Sequence, residues 1–138
     1  MTKHSRTEVL DAWALMAWLN GEAAASTVRD AFASARAGQL TLQFSAINAG
    51  EVYYLLAKRR SRKAAEQWHT EVLPSLPIRV VVPTLDDILE AAKLKAAFPI
   101  SYADSFAAGL ALKHHAALVT GDTEFRSIPN LQIVWIGP

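Results

Sequence analysis

Two patterns of apolar residues alternate along the chain, and they predict strands and helices in turn. Leu40 to Phe44 alternates apolar and polar side chains with a period of two, which is typical of a strand. Residues 78–82 are rich in β-branched apolar side chains, which is typical of a buried parallel strand. The predicted strands are residues 8–10, 40–44, 78–82, 117–120 and 131–136.

The segments between these strands have helical patterns with recognisable ends. Ser45 and Thr84 are suited to cap the helices that follow them, while Gly38 and Pro99 are suited to end helices. Because short apolar strands alternate with helices, we expect an α/β fold, a three-layer α/β/α sandwich with a mainly parallel sheet of four to five strands. The predicted helices are residues 14–19, 23–37, one after Ser45, one reaching Leu73, 85–97 and 103–114.

Composition narrows the class of protein without identifying a partner. A chain of 138 residues with 51% hydrophobic residues fits one domain over residues 1–138 and excludes extensive disorder. The absence of cysteine excludes a disulfide scaffold, a thiolate zinc site and a cysteine nucleophile. The N-terminus loosely resembles a signal peptide, but Asp11 interrupts its apolar stretch, so we expect a cytoplasmic protein.

Four acidic residues occupy related places in this predicted pattern. Asp11 follows the first strand and Asp122 follows the fourth, while Glu51 lies in the helix after the second strand and Asp104 opens the helix before the fourth. Ligands of such sheets bind beyond the carboxyl ends of the strands. All four side chains can therefore reach the same end of one sheet.

Each acid also has an ordinary structural interpretation. Asp11 and Asp104 would serve as helix caps, or as acids placed favourably near a helix N-terminus. Asp122 would be a turn residue, and Glu51 an exposed glutamate, although no basic residue stands three or four positions after it. These interpretations stay open for each residue taken singly.

Taken together, the four carboxylates point to a cation. Carboxylates at close range repel one another, and a cluster of four is costly unless protons or cations neutralise it. Without cysteine or clustered histidine the ligands are all oxygen, which favours Mg²⁺ or Mn²⁺ over zinc. Such ions can activate a water and, when two lie roughly 3.5–4 Å apart, stabilise the leaving oxygen as well. The expected reaction is hydrolysis of a phosphodiester by an in-line water.

At these residues the sequence resembles the PIN-domain nucleases, and most closely the VapC-type toxins of bacterial toxin–antitoxin pairs. The matching segments are VLDAWALMAWLNGE, SAINAGEVYYLL, ISYADSFAAGLALKHHAALVTGD and the TEF that follows. The resemblance implies a PIN-like fold and a Mg²⁺- or Mn²⁺-dependent endoribonuclease, with an antitoxin protein as partner and a homodimer as frequent assembly. It places Asp11, Glu51, Asp104 and Asp122 on the family's catalytic and metal-binding positions, with Glu124 as a possible fifth acid.

Trp13 is where the sequence departs from this family. Relatives often have a small hydroxyl residue there, and an indole cannot accept a hydrogen bond as a hydroxyl does. Trp13 would stack on a base at the mouth of the cleft or pack in the core, and packing is favoured because large aromatics are usually structural. The departure keeps a second function open, a PIN-like module that binds RNA or an antitoxin without cleavage. A haloacid-dehalogenase phosphohydrolase is a weaker rival, because it would need an aspartate at position 13.

Two further groups of residues bear on the site. Asn48 and Thr120 are candidate donors that would orient the carboxylates. The run from Lys58 to Lys63 contains five cations in six residues, and without the four site acids the net charge of +1 becomes +5 for the rest of the chain. The run is typical of a solvated helix end, but it would also hold RNA phosphates or acidic residues of an antitoxin.

Overall fold

A five-stranded parallel sheet forms the centre of the protein, in a computed structural model that describes residues 6–138. The strand order is β3-β2-β1-β4-β5, and each neighbouring pair is parallel. Since β1 and β4 are parallel neighbours, the residues that follow these two strands lie close together at the same end of the sheet. The strands are β1 (Arg6–Leu10), β2 (Leu40–Ser45), β3 (Ile78–Val81), β4 (Ala117–Thr120) and β5 (Ile133–Trp135).

Helices cover both faces of the sheet, which confirms the predicted three-layer sandwich. Side chains alternate across β1, so that Leu10 belongs to the core cluster under the first four helices and Val9 to the cluster under the last two. The helices are α1 (Ala12–Leu19), α2 (Ala25–Arg36), α3 (Ala46–Arg59), α4 (Arg62–Gln67), α5 (Leu85–Ala97) and α6 (Tyr102–Lys113).

Polar side chains fix the starts of the helices that carry the candidate site. Ser45 Oγ accepts a hydrogen bond from the Ile47 backbone N–H at 3.2 Å, and Ser101 Oγ accepts one from the Asp104 N–H at 3.1 Å. Thr84 and Asp87 form a reciprocal capping box at the start of α5. The caps predicted at Ser45 and Thr84 are therefore confirmed.

The predicted burial of β3 is wrong. This strand is the outermost of the sheet and pairs only with β2, so Val80 is 39% exposed, and Val82 just beyond the strand is 75% exposed. Smaller differences concern element ends: α1 begins at Ala12, and the last strand is shorter than predicted.

No helix among residues 6–138 is long and apolar enough to cross a membrane. Of the basic start of the segment that resembles a signal peptide, residues 1–6, only Arg6 lies within the described residues.

Candidate metal centre

The four predicted acids converge at the carboxyl ends of β1 and β4. Asp11 follows β1 directly, Asp122 lies two residues beyond β4, Asp104 is in the first turn of α6 and Glu51 is in the second turn of α3. Glu51, Asp104 and Asp122 line one pocket of about 430 Å³ together with Glu124. Asp11 lies deeper and is only 1% exposed.

Asp11 is held by two hydrogen bonds, one to each carboxylate oxygen. Oδ1 accepts from the Ala14 backbone N–H at 2.8 Å, which caps α1, and Oδ2 accepts from the Thr120 hydroxyl at 2.5 Å. Thr120 Oγ1 in turn accepts from the Asp122 N–H at 3.0 Å, so this hydroxyl joins two of the acids. The pKa of Asp11 is raised from 3.8 to about 7, chiefly by burial, which outweighs the lowering effect of the two hydrogen bonds. The charges of Asp122 and Glu51 contribute to the rise.

Asp104, Asp122 and Glu124 form the closest group of acids. One carboxylate oxygen of each lies within 4.8 Å of the others. The pKa of Asp104 is raised to about 8, chiefly by burial and also by a hydrogen bond with Glu124 and by the charges of the other acids. Glu124, which the sequence left open between a ligand and a solvated turn residue, thus lies close to Asp104 and Asp122, because the 3₁₀ turn Thr123–Ser127 starts directly at Asp122.

Glu51 is tied to α6 through Asn48. The Asn48 amide donates to Glu51 Oε1 at 3.3 Å and to the Ala103 carbonyl at 3.1 Å, immediately before Asp104. Asn48 is fully buried, so this amide fixes two acid-bearing helices against each other. Partial burial raises the pKa of Glu51, whereas the hydrogen bond from Asn48 lowers it and the charge of Asp122 raises it. The donors predicted at Asn48 and Thr120 therefore contact carboxylates.

The model of the PIN domain family matches residues 9–131. The chain belongs to the PIN domain family. That span contains the five acids at this end of the sheet, here called the acid cluster, and both donors that contact them. The acid cluster consists of Asp11, Glu51, Asp104, Asp122 and Glu124.

Solved structures show the same fold at low sequence identity. VapBC2 from Rickettsia felis, bound to a DNA fragment from its promoter, superposes with a TM-score of 0.72 at 19% identity, covering 92% of this chain and 96% of that chain. VapC20 from Mycobacterium tuberculosis, described as a sarcin–ricin loop cleaving toxin, gives 0.68 at 20% identity over 86% and 92%. VapBC-1 from nontypeable Haemophilus influenzae gives 0.66 at 22% identity over 94% and 97%. Among curated proteins, no sequence matches this chain.

The donor set of this PIN domain fits a hard divalent cation. Every candidate ligand is a carboxylate oxygen, and such ligands suit Mg²⁺ and Mn²⁺. Within residues 6–138, none of the ion pairs involves an acid of the cluster. The raised pKa values of Asp11, Glu51 and Asp104 have the cause expected of such a site, because buried like charges without a cation favour the protonated acid.

Two other residues that line this pocket bear on its chemistry. Arg59, at the end of α3, is the member of the basic run that lines the pocket with the acids. Trp13 lines it from α1 and belongs to neither apolar core cluster, so the core packing favoured from sequence is not what the structure shows. Its indole lies against Gly121, where an added Cβ would come within 2.3 Å of the ring. Sequence inspection missed the role of Gly121; the only signal was a glycine directly before Asp122.

Proposed function

We propose that this PIN domain is a metal-dependent endoribonuclease, the toxin component of a toxin–antitoxin pair. PIN domains are in general nucleases, and the observation that carries the proposal is the cluster of acids in an open pocket at the carboxyl ends of β1 and β4. The three similar structures support the toxin assignment, since they are named as VapBC complexes or as a VapC toxin.

We assign metal binding and catalysis to Asp11, Glu51, Asp104 and Asp122, with Glu124 as a further ligand. A bound Mg²⁺ or Mn²⁺ would supply positive charge for the phosphodiester and an acidified water as nucleophile. The residues of the chain prepare the site: hydrogen bonds fix both oxygens of Asp11, and Asn48 fixes Glu51.

Protonation of the cluster is coupled to cation binding. The pKa of about 8 means that the carboxyl of Asp104 keeps its proton near neutral pH in the metal-free protein, where it is hydrogen-bonded to Glu124. Carboxylate ligands must lose their protons to bind a metal. Metal binding should therefore release protons and tighten as the pH rises from 6 to 8.

RNA phosphates would meet the basic end of α3. Arg59 lines the acidic pocket, and Lys58 and Arg60 flank it on an exposed helix end. A guanidinium beside the metal ligands suits a phosphate oxygen, because arginine recognises phosphate through paired N–H donors. The basic residues would hold the chain of phosphates while the acids act at one of them.

An antitoxin protein and a second copy of the chain are the proposed protein partners. The antitoxin is supported by the complexes that the similar structures represent. The homodimer is supported by large apolar side chains left exposed beside the edge strand: Val82, Leu85 and Leu89 are 75%, 69% and 50% exposed. Exposed apolar patches of this kind commonly mark protein interfaces. We also propose that the protein acts in the cytoplasm.

Cleavage of RNA by the purified chain tests the proposal. We expect cutting with Mg²⁺ or Mn²⁺, none in EDTA and none with Asp104→Asn, while Asp30→Asn, which changes an exposed acid of α2, leaves the rate unchanged. Cleavage that persists in EDTA would contradict the metal mechanism.

The same experiment separates the second candidate, a PIN-like module that binds RNA or an antitoxin without cutting. This candidate is favoured by Trp13, a bulky side chain at the rim where relatives often have a small hydroxyl residue. Mn²⁺ binding by calorimetry, without cleavage of any RNA in a mixed pool, would favour it.

A further inference from the structure

We propose that Trp13 stacks on an unpaired RNA base beside the scissile phosphate and so contributes to substrate selection. The inference rests on the proposed function, because it takes RNA as the substrate of the same pocket. It adds a nucleotide subsite next to the acids, formed by the part of one indole that lines the pocket.

The first observation is that Trp13 is separated from the core that its own helix builds. Leu15 and Met16 are buried in the larger apolar cluster, and Trp18 packs against that cluster in an edge-to-face contact with Phe32 at 5.1 Å. Trp13 belongs to neither cluster and is only partly buried. A large aromatic that the core does not use is a candidate for contact with a ligand.

The second observation is that the ring is held in place from one side. Its six-membered ring lies so close to Gly121 that an added Cβ would come within 2.3 to 2.6 Å of three ring carbons. A Cβ added to Gly137 would come within 2.9 Å of Gly121 Cα. Gly121 therefore lies between the indole of Trp13 and the C-terminal segment. The turn that carries Asp122 therefore fixes the ring, and little side-chain entropy remains to be lost on binding.

The third observation is the chemical setting of the exposed part of the ring. Trp13 shares its pocket with Glu51, Asp104, Asp122 and Glu124. Within residues 6–138, no protein group accepts a hydrogen bond from the indole N–H of Trp13. The indole nitrogen is not fully buried, so it can donate to a ligand. The wall therefore offers an aromatic face and one donor in acidic surroundings, which suit an uncharged ring better than another phosphate.

An RNA base has these properties. It is neutral and planar, and any base can stack on an aromatic side chain irrespective of sequence. A base in a duplex is already stacked on its neighbours, so the subsite selects single-stranded or looped RNA. Trp13 is two residues after Asp11, and its ring lies against Gly121, the residue before Asp122. A base stacked on this ring would therefore lie next to the reacting phosphate.

The test combines changes in the protein with changes in the RNA. The wild-type cleavage site is first mapped on a single-stranded RNA, and substrates with an abasic nucleotide on either side of that site are then synthesised. The protein variants are Trp13→Phe, Trp13→Leu and Trp13→Ala, with Tyr54→Ala as matched control, since Tyr54 is a 55% exposed aromatic of α3 outside the pocket. Mn²⁺ affinity of each variant shows that the acid cluster is intact.

Stacking makes a specific pattern of rates. Trp13→Ala and Trp13→Leu should lower kcat/KM on intact RNA roughly 5- to 150-fold, the range for loss of one stacked base, while Trp13→Phe keeps most of the activity. An abasic nucleotide on one side of the cleavage site should lower kcat/KM of the wild type by a similar factor. The same abasic RNA should be cleaved by Trp13→Ala as fast as the intact RNA is. Tyr54→Ala should behave as the wild type.

Other patterns overturn the inference. A Trp13→Leu variant as fast as the wild type removes the need for an aromatic face. Equal abasic effects in wild type and Trp13→Ala show that the indole and the base do not interact, leaving a structural role or a protein partner's side chain for the indole.

Failure of the proposed function gives a different result. If the wild type does not cleave, the same RNAs are used in an anisotropy binding assay. A loss on abasic substitution that depends on Trp13 then supports the subsite, whereas no binding, or a loss independent of Trp13, overturns it.

Discussion

Raising the pH of the metal-free protein should destabilise its fold, because the candidate metal centre must then hold uncompensated charge. Asp11 is the clearest source of this effect. Its carboxyl is buried, and its pKa lies at about 7 in the folded chain against an ordinary value of 3.8. The group therefore keeps its proton in the folded state over a pH range in which the unfolded chain has lost it.

The sign and size follow from linkage. Below about pH 4 both states bind the proton and pH has no effect through this group. Between pH 3.8 and about 7 only the folded state keeps it, so stability falls by about 1.4 kcal/mol per pH unit, to a total of about 4 kcal/mol. Asp104, with a pKa of about 8, extends the loss in the same direction to higher pH.

Urea unfolding in EDTA at several pH values between 4 and 9 measures this loss. Asp104→Asn removes one ionisable group and its repulsion on Asp11, so the variant should be more stable than the wild type at pH 9 and close to it at pH 4. Asp30→Asn, in an exposed part of α2, should follow the wild type throughout. Mg²⁺ or Mn²⁺ should restore stability at high pH, and more to the wild type than to Asp104→Asn.

Two results would refute the reasoning. In the first, the free energy of unfolding of the wild type in EDTA does not fall relative to that of Asp104→Asn as the pH rises. This would show that the acids do not repel one another in the folded state. A destabilised Asp104→Asn at pH 9 would show that the carboxylate of Asp104 stabilises the fold without a cation.

Three further substitutions test single contacts of the site and the surface. Thr120→Val removes the hydroxyl that donates to Asp11, so Mn²⁺ affinity measured by calorimetry should fall roughly 10- to 100-fold; unchanged affinity would contradict this. Asn48→Ala leaves Glu51 and the partly buried Ala103 carbonyl without their donor and should cost about 1–3 kcal/mol in urea unfolding, with none of this loss if the amide is dispensable. Leu85→Glu changes an exposed apolar side chain, so stability should change by less than about 0.5 kcal/mol. The mass by light scattering should nevertheless fall from dimer to monomer, and a dimer that persists would exclude this surface.

Local patterns predicted the elements of the fold well, because helix caps and apolar periodicity act over a few residues. Ser45 and Thr84 cap the helices expected of them, and residues 117–120 form the expected strand. The burial of residues 78–82 was not predictable in this way. Whether a β-branched strand is central or at an edge depends on strand order, which is set by pairing between distant parts of the chain.

The candidate site was predictable as far as the topology dictates it. In a parallel sheet the ends of β1 and β4 must share an edge once these strands are neighbours, which brings Asp11 and Asp122 together. Trp13 has no such rule. It stands among apolar residues of α1, and the residue its ring lies against, Gly121, is more than a hundred residues away along the chain.

The capping and metal-binding interpretations of these acids are compatible rather than exclusive. Asp11 caps α1 through Oδ1 and still belongs to the charged cluster, as its interactions with Asp122 and Glu51 show. Asp122 Oδ1 accepts from the Glu124 N–H at 2.9 Å, which leaves its other oxygen free of that bond. A carboxylate has two oxygens and about four lone pairs, so one bond to the backbone fixes its orientation without exhausting its capacity as a ligand. Capping therefore fixes the orientation of Asp11 and Asp122, and the feature that made these two residues look ordinary in the sequence also helps to hold the cluster together.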